Sequence, residues 1–313
     1  MKDTMQNREK KPSRKKYIIP VVVLLCILAA LIYRAMTWTP IDSESVRKSK
    51  AMILNIAARK LEKDPNELTN EDFKNITSLL IGNKMLVEVF ELSDVTMLEK
   101  FTNLQTLSLK YVQFPEKDIP SWMKILAGLK IINLSGRFNL DLSPLEKLSE
   151  LETISLGGCH VSDLRPLRNL KNLNDLSIGS TNVTNLKPLS GLTKLRRLNL
   201  DYTQVANLEP LKNLKNLYSL SLWNTEVSDL KPIKGLTNLE FLYLPGTQVT
   251  DLEPLKGLSK LRTLYLDNTQ ISDIKPLHEL KVLINLNIGR CPNLTDGQVE
   301  DLQKALPDLK INR

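Results

Sequence analysis

Leucine returns in this chain on a fixed count of twenty-two residues. Seven successive units begin at Leu129, Leu151, Leu173, Leu195, Leu217, Leu239 and Leu261, and an eighth opens at Leu283. Positions 4 and 6 of each unit are Leu or Ile, from Ile132 and Leu134 to Leu286 and Ile288. That spacing of two places both side chains on one face of a short strand. Position 16 is proline in every complete unit, from Pro144 to Pro276. Proline cannot donate to a central ladder, so it fixes the second half of the unit outside the sheet. No single unit can bury its leucines alone, whereas stacking closes a core from both sides. The 313 residues therefore do not divide into ordinary globular domains. Aromatics make up only 5% of the chain, and aliphatic residues carry the core.

The return leg has its own pattern. Position 13 is Asp or Asn throughout (Asp141, Asp163, Asn185, Asn207, Asp229, Asp251, Asp273), followed by an aliphatic-x-Pro-aliphatic run. A capping side chain ahead of a first-turn proline describes a very short helix or 3₁₀ turn. Leucines at positions 14, 17 and 20 then point back at the strand.

The signature LxxLxLxx(N/T/C)x(aliphatic), carried in every unit from Leu151 to Leu261, resembles that of the leucine-rich repeat family. The resemblance implies an α/β solenoid: a horseshoe with a parallel, concave β-sheet and a convex side of short 3₁₀ turns. Members of the family mostly carry Asn at position 9, where it caps buried backbone groups. Cys159, Thr181, Thr203, Thr225, Thr247, Thr269 and Cys291 stand there instead. A threonine hydroxyl can partly replace the amide, and a thiol does so weakly. Arg137 fills the slot in the Leu129 unit, with Asn139 where Val is usual, so a distorted turn is expected there. Upstream, Leu104, Leu107 and Leu109 open a longer unit, and Ile76, Leu79 and Ile81 another. Val46, Ile53, Leu54, Ala57 and Leu61 recur at helical spacing before them, and a second short helix is expected around residues 70–75. This layout, with its Thr69–Asp72 entry, is similar to the helical cap of bacterial internalin-type repeat proteins. A helix over 296–306 and a final strand near Leu309 and Ile311 read as the C-terminal cap.

The N-terminus bears on compartment. Residues 17–33 are uncharged and overwhelmingly apolar, and Ala35 and Met36 extend the run. The expected organisation is a basic cytoplasmic tail (1–16), a transmembrane signal-anchor (17–36), a linker and helical N-cap (37–75), the repeats (76–290) and a C-terminal cap (291–313). Seven Lys/Arg against two Asp/Glu precede the apolar run. The positive-inside rule then leaves the tail in the cytoplasm and places the repeats outside it, with the lipid bilayer as partner of 17–36. Cleavage as a signal peptide is the rival reading, although no clean small-x-small site follows. Cys26 follows Leu25, which a lipoprotein cleavage site does not favour.

Most of the formal charge of +8 sits in that tail, so the body is nearly neutral and lacks the basic stripe that nucleic-acid binding requires. His160 and His278 are five units apart, about 24 Å at strand spacing, too far to share a triad or a metal. Cys159 and Cys291 are too distant to be bridged. The Asp229, Asp251, Asp273 row caps turns and supplies too few ligands for calcium. Four Asn-x-Ser/Thr triplets, at Asn75, Asn133, Asn182 and Asn293, have a high chance frequency in such a repeat. No phosphate-binding glycine loop or GxSxG elbow occurs, so neither enzyme, cofactor nor metal is expected.

Positions 2, 3, 5, 7 and 8 face away from the core. Tyr202, Tyr218, Trp223, Phe241, Tyr243 and Tyr265 all fall there in the four units from Leu195, while the units from Leu129 to Lys194 place Ser135, Gly136, Ser155, Gly157, Gly158, Ser177, Gly179 and Ser180 there, with no aromatic. Strands favour aromatic residues everywhere, and that preference does not explain the segregation. The rings, flanked by Arg196, Arg197, Asp201, Glu240, Arg262 and Asp267, make a hot spot with a polar rim. Of these, Arg197, Asp201, Arg262 and Asp267 join the six rings as the expected ligand-binding set. The sequence thus points to a membrane-anchored repeat protein whose concave aromatic surface binds a protein, peptide or glycan. The alternatives are a scaffold subunit of a membrane complex, or a repeat protein secreted after signal cleavage.

Overall fold

The computed structural model describes residues 43–81, 90–91, 96–109, 112–113, 127–136 and 139–313. The tail 1–16 and the apolar segment 17–36 lie outside them, as does Arg137. Among the described residues, no helix is long and apolar enough to cross a membrane.

Eleven strands among the described residues form one sheet in sequence order, from Ser78–Ile81 and Thr106–Leu109 through nine three-residue strands that end at Lys310–Asn312. Neighbouring strands are parallel, and in the regular array the register advances by one unit per strand. Phe241, Leu242 and Tyr243 lie beside Thr263, Leu264 and Tyr265 on one side and Ser219, Leu220 and Ser221 on the other. The open sheet, with a 3₁₀ turn between successive strands from Ile131–Asn133 to Asn285–Asn287, is the solenoid that the periodicity demands.

Burial follows the repeat. In the Leu239 unit, Leu239, Leu242, Leu244, Val249, Leu252, Leu255 and Leu258 are all buried, and the same positions are buried in the units on either side. Each aliphatic side chain contributes roughly 1.5–3 kcal/mol, and only in contact with the neighbouring units.

The return legs are held by position 13. In all seven complete units its side-chain Oδ1 accepts a hydrogen bond from the backbone N–H two residues on, at 2.8–3.0 Å. That residue opens the 3₁₀ helix, as in Glu253–Leu255 and Lys231–Ile233, with proline next. The N-cap is the following Leu or Ile, without a side-chain bond, so the acidic row closes Asx turns just ahead of the 3₁₀ helices rather than capping them, and among the described residues no cluster of His, Cys, Asp or Glu could hold a metal ion.

Position 9 forms a second internal column. The hydroxyls of Thr181, Thr203, Thr225, Thr247 and Thr269 donate to the position 6 carbonyl of their own unit at 2.6–2.8 Å. Cysteine behaves differently: Cys159 Sγ reaches the Leu134 carbonyl and Cys291 Sγ the Leu266 carbonyl, each in the preceding unit. Both thiols are buried and free. Burial pushes the Cys159 thiol up to about 12, which keeps it protonated and unreactive. In the Leu129 unit, Asn139 makes an isolated parallel bridge to His160.

Both ends of the array are closed. The helix Ser43–Leu61 contributes Ile53 and Ala57 to the core, and Phe73, from the short helix Asn70–Lys74, packs edge-to-face on Phe101 with ring centroids 5.2 Å apart. At the other end the helix Asp296–Ala305 starts with a Thr295/Gln298 capping box and buries Leu302, and the strand Lys310–Asn312 covers the sheet edge.

The N-terminal cap carries a pH dependence. Asp72 accepts from Lys63 Nζ at 2.6 Å and from the Thr69 backbone N–H and hydroxyl at 2.8 Å each. The Lys63 bond first, then those from Thr69, hold its carboxyl near 2, below the ordinary 3.8. A depressed carboxylate stabilises the folded chain above its unfolded pKa, and that contribution is lost as pH falls from about 4 towards 2. Asp72→Asn should therefore lower the thermal midpoint at pH 6, and the gap to the parent chain should close by pH 2. A gap that stays constant over that range would rule the linkage out.

Candidate ligand-binding surface

Positions 3 and 5 of each strand flank the buried position 4 and stand on the sheet's open face. Phe241 and Tyr243 flank Leu242, and Tyr265 follows Leu264; all three rings are half-buried. Thr263, at position 3, is an exception to the expected exposure, being buried. The parallel register sets Tyr243 beside Tyr265, ring centroids 5.2 Å apart and planes at 86°. Tyr218 meets Phe241 edge-to-face at 5.0 Å, and Tyr202 stacks on Trp223 at 6.1 Å and 26°. The six rings thus form three pairs, each crossing from one unit to the next. Such pairs contribute about 0.5–1.5 kcal/mol beyond their buried area. Burial, and secondarily the neighbouring phenols of Tyr265 and Tyr218, push the Tyr243 hydroxyl above its usual range, so it stays a neutral donor.

Tyr202 and Trp223 are the most exposed of the six, at 54% and 45%. Tyr202 also sits in an unusual backbone conformation. Position 8 is left-handed in seven consecutive units: Gly158, Ser180, Tyr202, Asn224, Gly246, Asn268 and Arg290 have φ between 51° and 81°. The chain leaves each strand through this turn whatever residue stands there. Position 8 is therefore not free of structural constraint, as its outward direction had implied. Glycine and asparagine tolerate the conformation, and at Gly246 a Cβ would lie 2.0 Å from Asn224 Oδ1. For other L-residues it costs roughly 1–2 kcal/mol, and Tyr202 is the only ring among the seven.

The charged residues divide by role. Asp201 Oδ1 accepts from Ser221 Oγ at 2.5 Å and from the Trp223 backbone N–H at 2.9 Å, while Oδ2 accepts from Asn199 Nδ2 at 3.0 Å. Asp201 is thus a positioning residue that fixes the backbone under Trp223, rather than a free rim carboxylate. Arg197 turns away from the rings and pairs with Asp175, Nε to Oδ2 at 2.7 Å. Arg196 lies 5.9 Å above the Tyr218 ring. Arg262 is exposed, and Asp267 is half-buried with its carbonyl accepting from the Gly246 N–H.

Beside the rings runs a polar groove of about 770 Å³, from Glu150 and Glu152 past Arg196 and Tyr218 to Glu240 and Lys260. Position 2 forms its floor, and position 22, the residue just before each Leu, forms its lip. Sequence reasoning counted position 2 among the outward positions and overlooked position 22. Its one signal there is polarity: Glu150, Asn172, Lys194, Asn216, Asn238 and Lys260 immediately precede invariant leucines.

A family model for leucine-rich repeats (two copies) matches residues 215–257 and 237–277, within the regular units that carry the rings. Among solved structures, internalin InlF from Listeria monocytogenes superposes with a TM-score of 0.71 at 28% identity, covering 82% of this chain and 73% of that one. The chain is similar to internalin-type leucine-rich repeat proteins. Internalin C2 of the same organism matches this repeat protein with a TM-score of 0.57 at 26% identity, over 78% of this chain and 92% of that one. The leucine-rich repeat ectodomain of the plant membrane receptor kinase GASSHO1/SCHENGEN3 from Arabidopsis thaliana, solved in complex with Casparian strip integrity factor 2, shares the fold alone. Its TM-score is 0.60 at 23% identity, over 78% of this chain and 31% of that one. No curated protein matches the sequence significantly. Leucine-rich repeat proteins of internalin and receptor type are protein-interaction modules.

Proposed function

We propose that this repeat protein is a receptor or adhesion module that takes a protein or peptide ligand on the aromatic strand face, with Tyr202 and Trp223 as its most exposed pair. The observation that carries the reading is Tyr202. A bulky ring occupies a left-handed position where glycine or asparagine would be easier, and there it stacks on the exposed Trp223. Backbone cost retained without benefit to the core points to use of the side chain. The half-buried pairs Tyr218–Phe241 and Tyr243–Tyr265 extend the same face across the next units. Arg196 and Arg262 supply a charged margin.

Anchoring is the second half of the proposal. The uncharged apolar run 17–33 behind a basic tail, extended past Arg34 by Ala35 and Met36, supports a single membrane span with the repeats outside the cytoplasm. The charge asymmetry, together with the plant receptor's use of this fold as an ectodomain, supports that orientation.

Photo-cross-linking tests the first half and protease protection the second. Phe241→benzoylphenylalanine in intact cells should yield one discrete protein adduct on illumination, and the same label at Lys231, on a 3₁₀ turn, should not. Equal labelling from the two positions would count against the strand face. Protease added to intact cells should digest the repeats, and protection of them would overturn the orientation.

A further inference from the structure

We propose that the polar groove beside the rings takes an extended peptide lying across the strands, and that it selects the peptide by charge order: basic, then acidic, then basic, three residues apart. The inference rests on the strand face being the binding surface and adds the chemistry of the ligand.

The groove's floor is a continuous row. The backbone N–H of Asn174 donates to the Glu152 carbonyl, Arg196 to Asn174, Tyr218 to Arg196 and Glu240 to Tyr218, each at 2.8–2.9 Å. Successive floor residues are therefore one strand apart, about 4.8 Å. Along this row, floor and lip carry the same sign wherever both are charged. Glu150 and Glu152 are acidic, and Lys194 and Arg196, two strands on, are basic. Glu240, two strands further, is acidic again, and Lys260, one strand beyond it, closes the groove with a basic residue.

Within the groove these charges do not neutralise one another. No salt bridge among the described residues joins Glu150, Lys194, Arg196, Glu240 or Lys260 to any acid or base, and Glu152 reaches only Lys130, at 3.6 Å. Two strand steps span roughly 10 Å, which matches three residues of a polyproline-II chain at about 3.1 Å each, and its three-residue turn returns every third side chain to the same face. A segment of the form Lys-x-x-Glu-x-x-Lys thus sets each charge over its opposite. The order is symmetric, so the same match holds in either chain direction, and reversing the peptide cannot rescue an inverted set of charges. Tyr218, between the basic and second acidic steps, lies under the peptide and joins the groove to the rings through its contact with Phe241.

Exposed ion pairs are individually weak and screened by salt, so the selectivity belongs at low ionic strength. The test is fluorescence anisotropy with the full chain in mild detergent and three labelled peptides: Lys-x-x-Glu-x-x-Lys, its charge-inverted counterpart Glu-x-x-Lys-x-x-Glu, and a scramble of the first, with Gly and Ser at the x positions. The matched peptide should bind at least fivefold more tightly than either other, and the advantage should shrink in 0.5 M salt. The triple variant Lys194→Glu, Arg196→Glu, Glu240→Lys should prefer the inverted peptide. All three changes are on exposed or half-exposed side chains, and unchanged thermal unfolding shows that the variant is folded. A scramble that binds as well as the matched peptide, or an unchanged preference in the variant, overturns the charge order. If binding ignores order yet falls in Trp223→Ala, the strand face remains a binding surface and only the groove's selectivity is lost.

Discussion

Leu242→Asp is expected to abolish cooperative unfolding of the repeat array. Leu242 is fully buried at the middle of the strand Phe241–Tyr243, between Leu220 and Leu264. Truncating such a leucine costs about 2–5 kcal/mol through lost transfer energy and the cavity left behind. The carboxylate adds several kcal/mol more, because its surroundings are aliphatic side chains that cannot donate a hydrogen bond. The total is on the order of a small domain's whole stability. A solenoid transmits the damage in one dimension: units on the two sides of Leu242 lose the interface that couples them. Circular dichroism should show either no folded baseline or two separate transitions in place of one. Lys231→Asp, at an exposed turn position of the preceding unit, should shift the midpoint little. A single transition within a few degrees of the parent chain for Leu242→Asp would contradict the stacked-core account.

Much of this architecture is legible in the sequence because the repeat fixes two things at once. A Leu or Ile at positions 4 and 6 says which face of the strand is buried, and Pro254 with its equivalents says where the strand has ended. Asp251 and its six equivalents close Asx turns one residue ahead of the expected cap position, which a Leu or Ile occupies. The site is legible only in part. Direction can be read from a period of two at positions 3 and 5, which places Phe241, Tyr243 and Tyr265 on the open face, whereas Tyr218, Trp223 and Tyr202, at positions 2, 7 and 8, lie outside the three-residue strands. Pairing cannot, because whether Tyr218 meets Phe241 or Tyr202 meets Trp223 depends on the lateral offset between units and on rotamers. Asp201 reads as a rim charge because nothing local announces that its partner is a backbone N–H one unit further on. The left-handed turn at position 8 is hidden for a related reason: Ser180, Tyr202 and Arg290 have no preference for it, and only the glycines and asparagines at equivalent positions hint at a backbone requirement. The lip of the groove was missed because position 22 belongs to the return leg in sequence and to the strand face in space.

Those same findings decide which rings to remove when binding is to be separated from folding. Tyr243 is a poor choice, since it is half-buried and packs on Tyr265. Tyr202→Gly with Trp223→Ala is the better pair, because these are the two most exposed of the six rings. Deleting them forfeits one stacked contact, about 0.5–1.5 kcal/mol, and part of their modest burial. Glycine at position 202 relieves a left-handed tyrosine, which returns roughly 1–2 kcal/mol, less the backbone freedom that glycine adds to the unfolded chain. The two effects nearly cancel, so the thermal midpoint should move by no more than a few degrees in either direction. Binding has no such compensation. Two such aromatic anchors, each contributing about 2 kcal/mol or more to a protein interface, together imply affinity lower by a factor of several hundred or more for the partner cross-linked at position 241. Asp201→Asn serves as the intermediate case, because it weakens the acceptor that holds the Trp223 backbone while leaving both rings in place, and should lower affinity by a smaller factor. Undiminished capture by the Tyr202→Gly, Trp223→Ala chain would remove these two rings from the interface, and a collapse of stability in step with binding would show that they serve the fold.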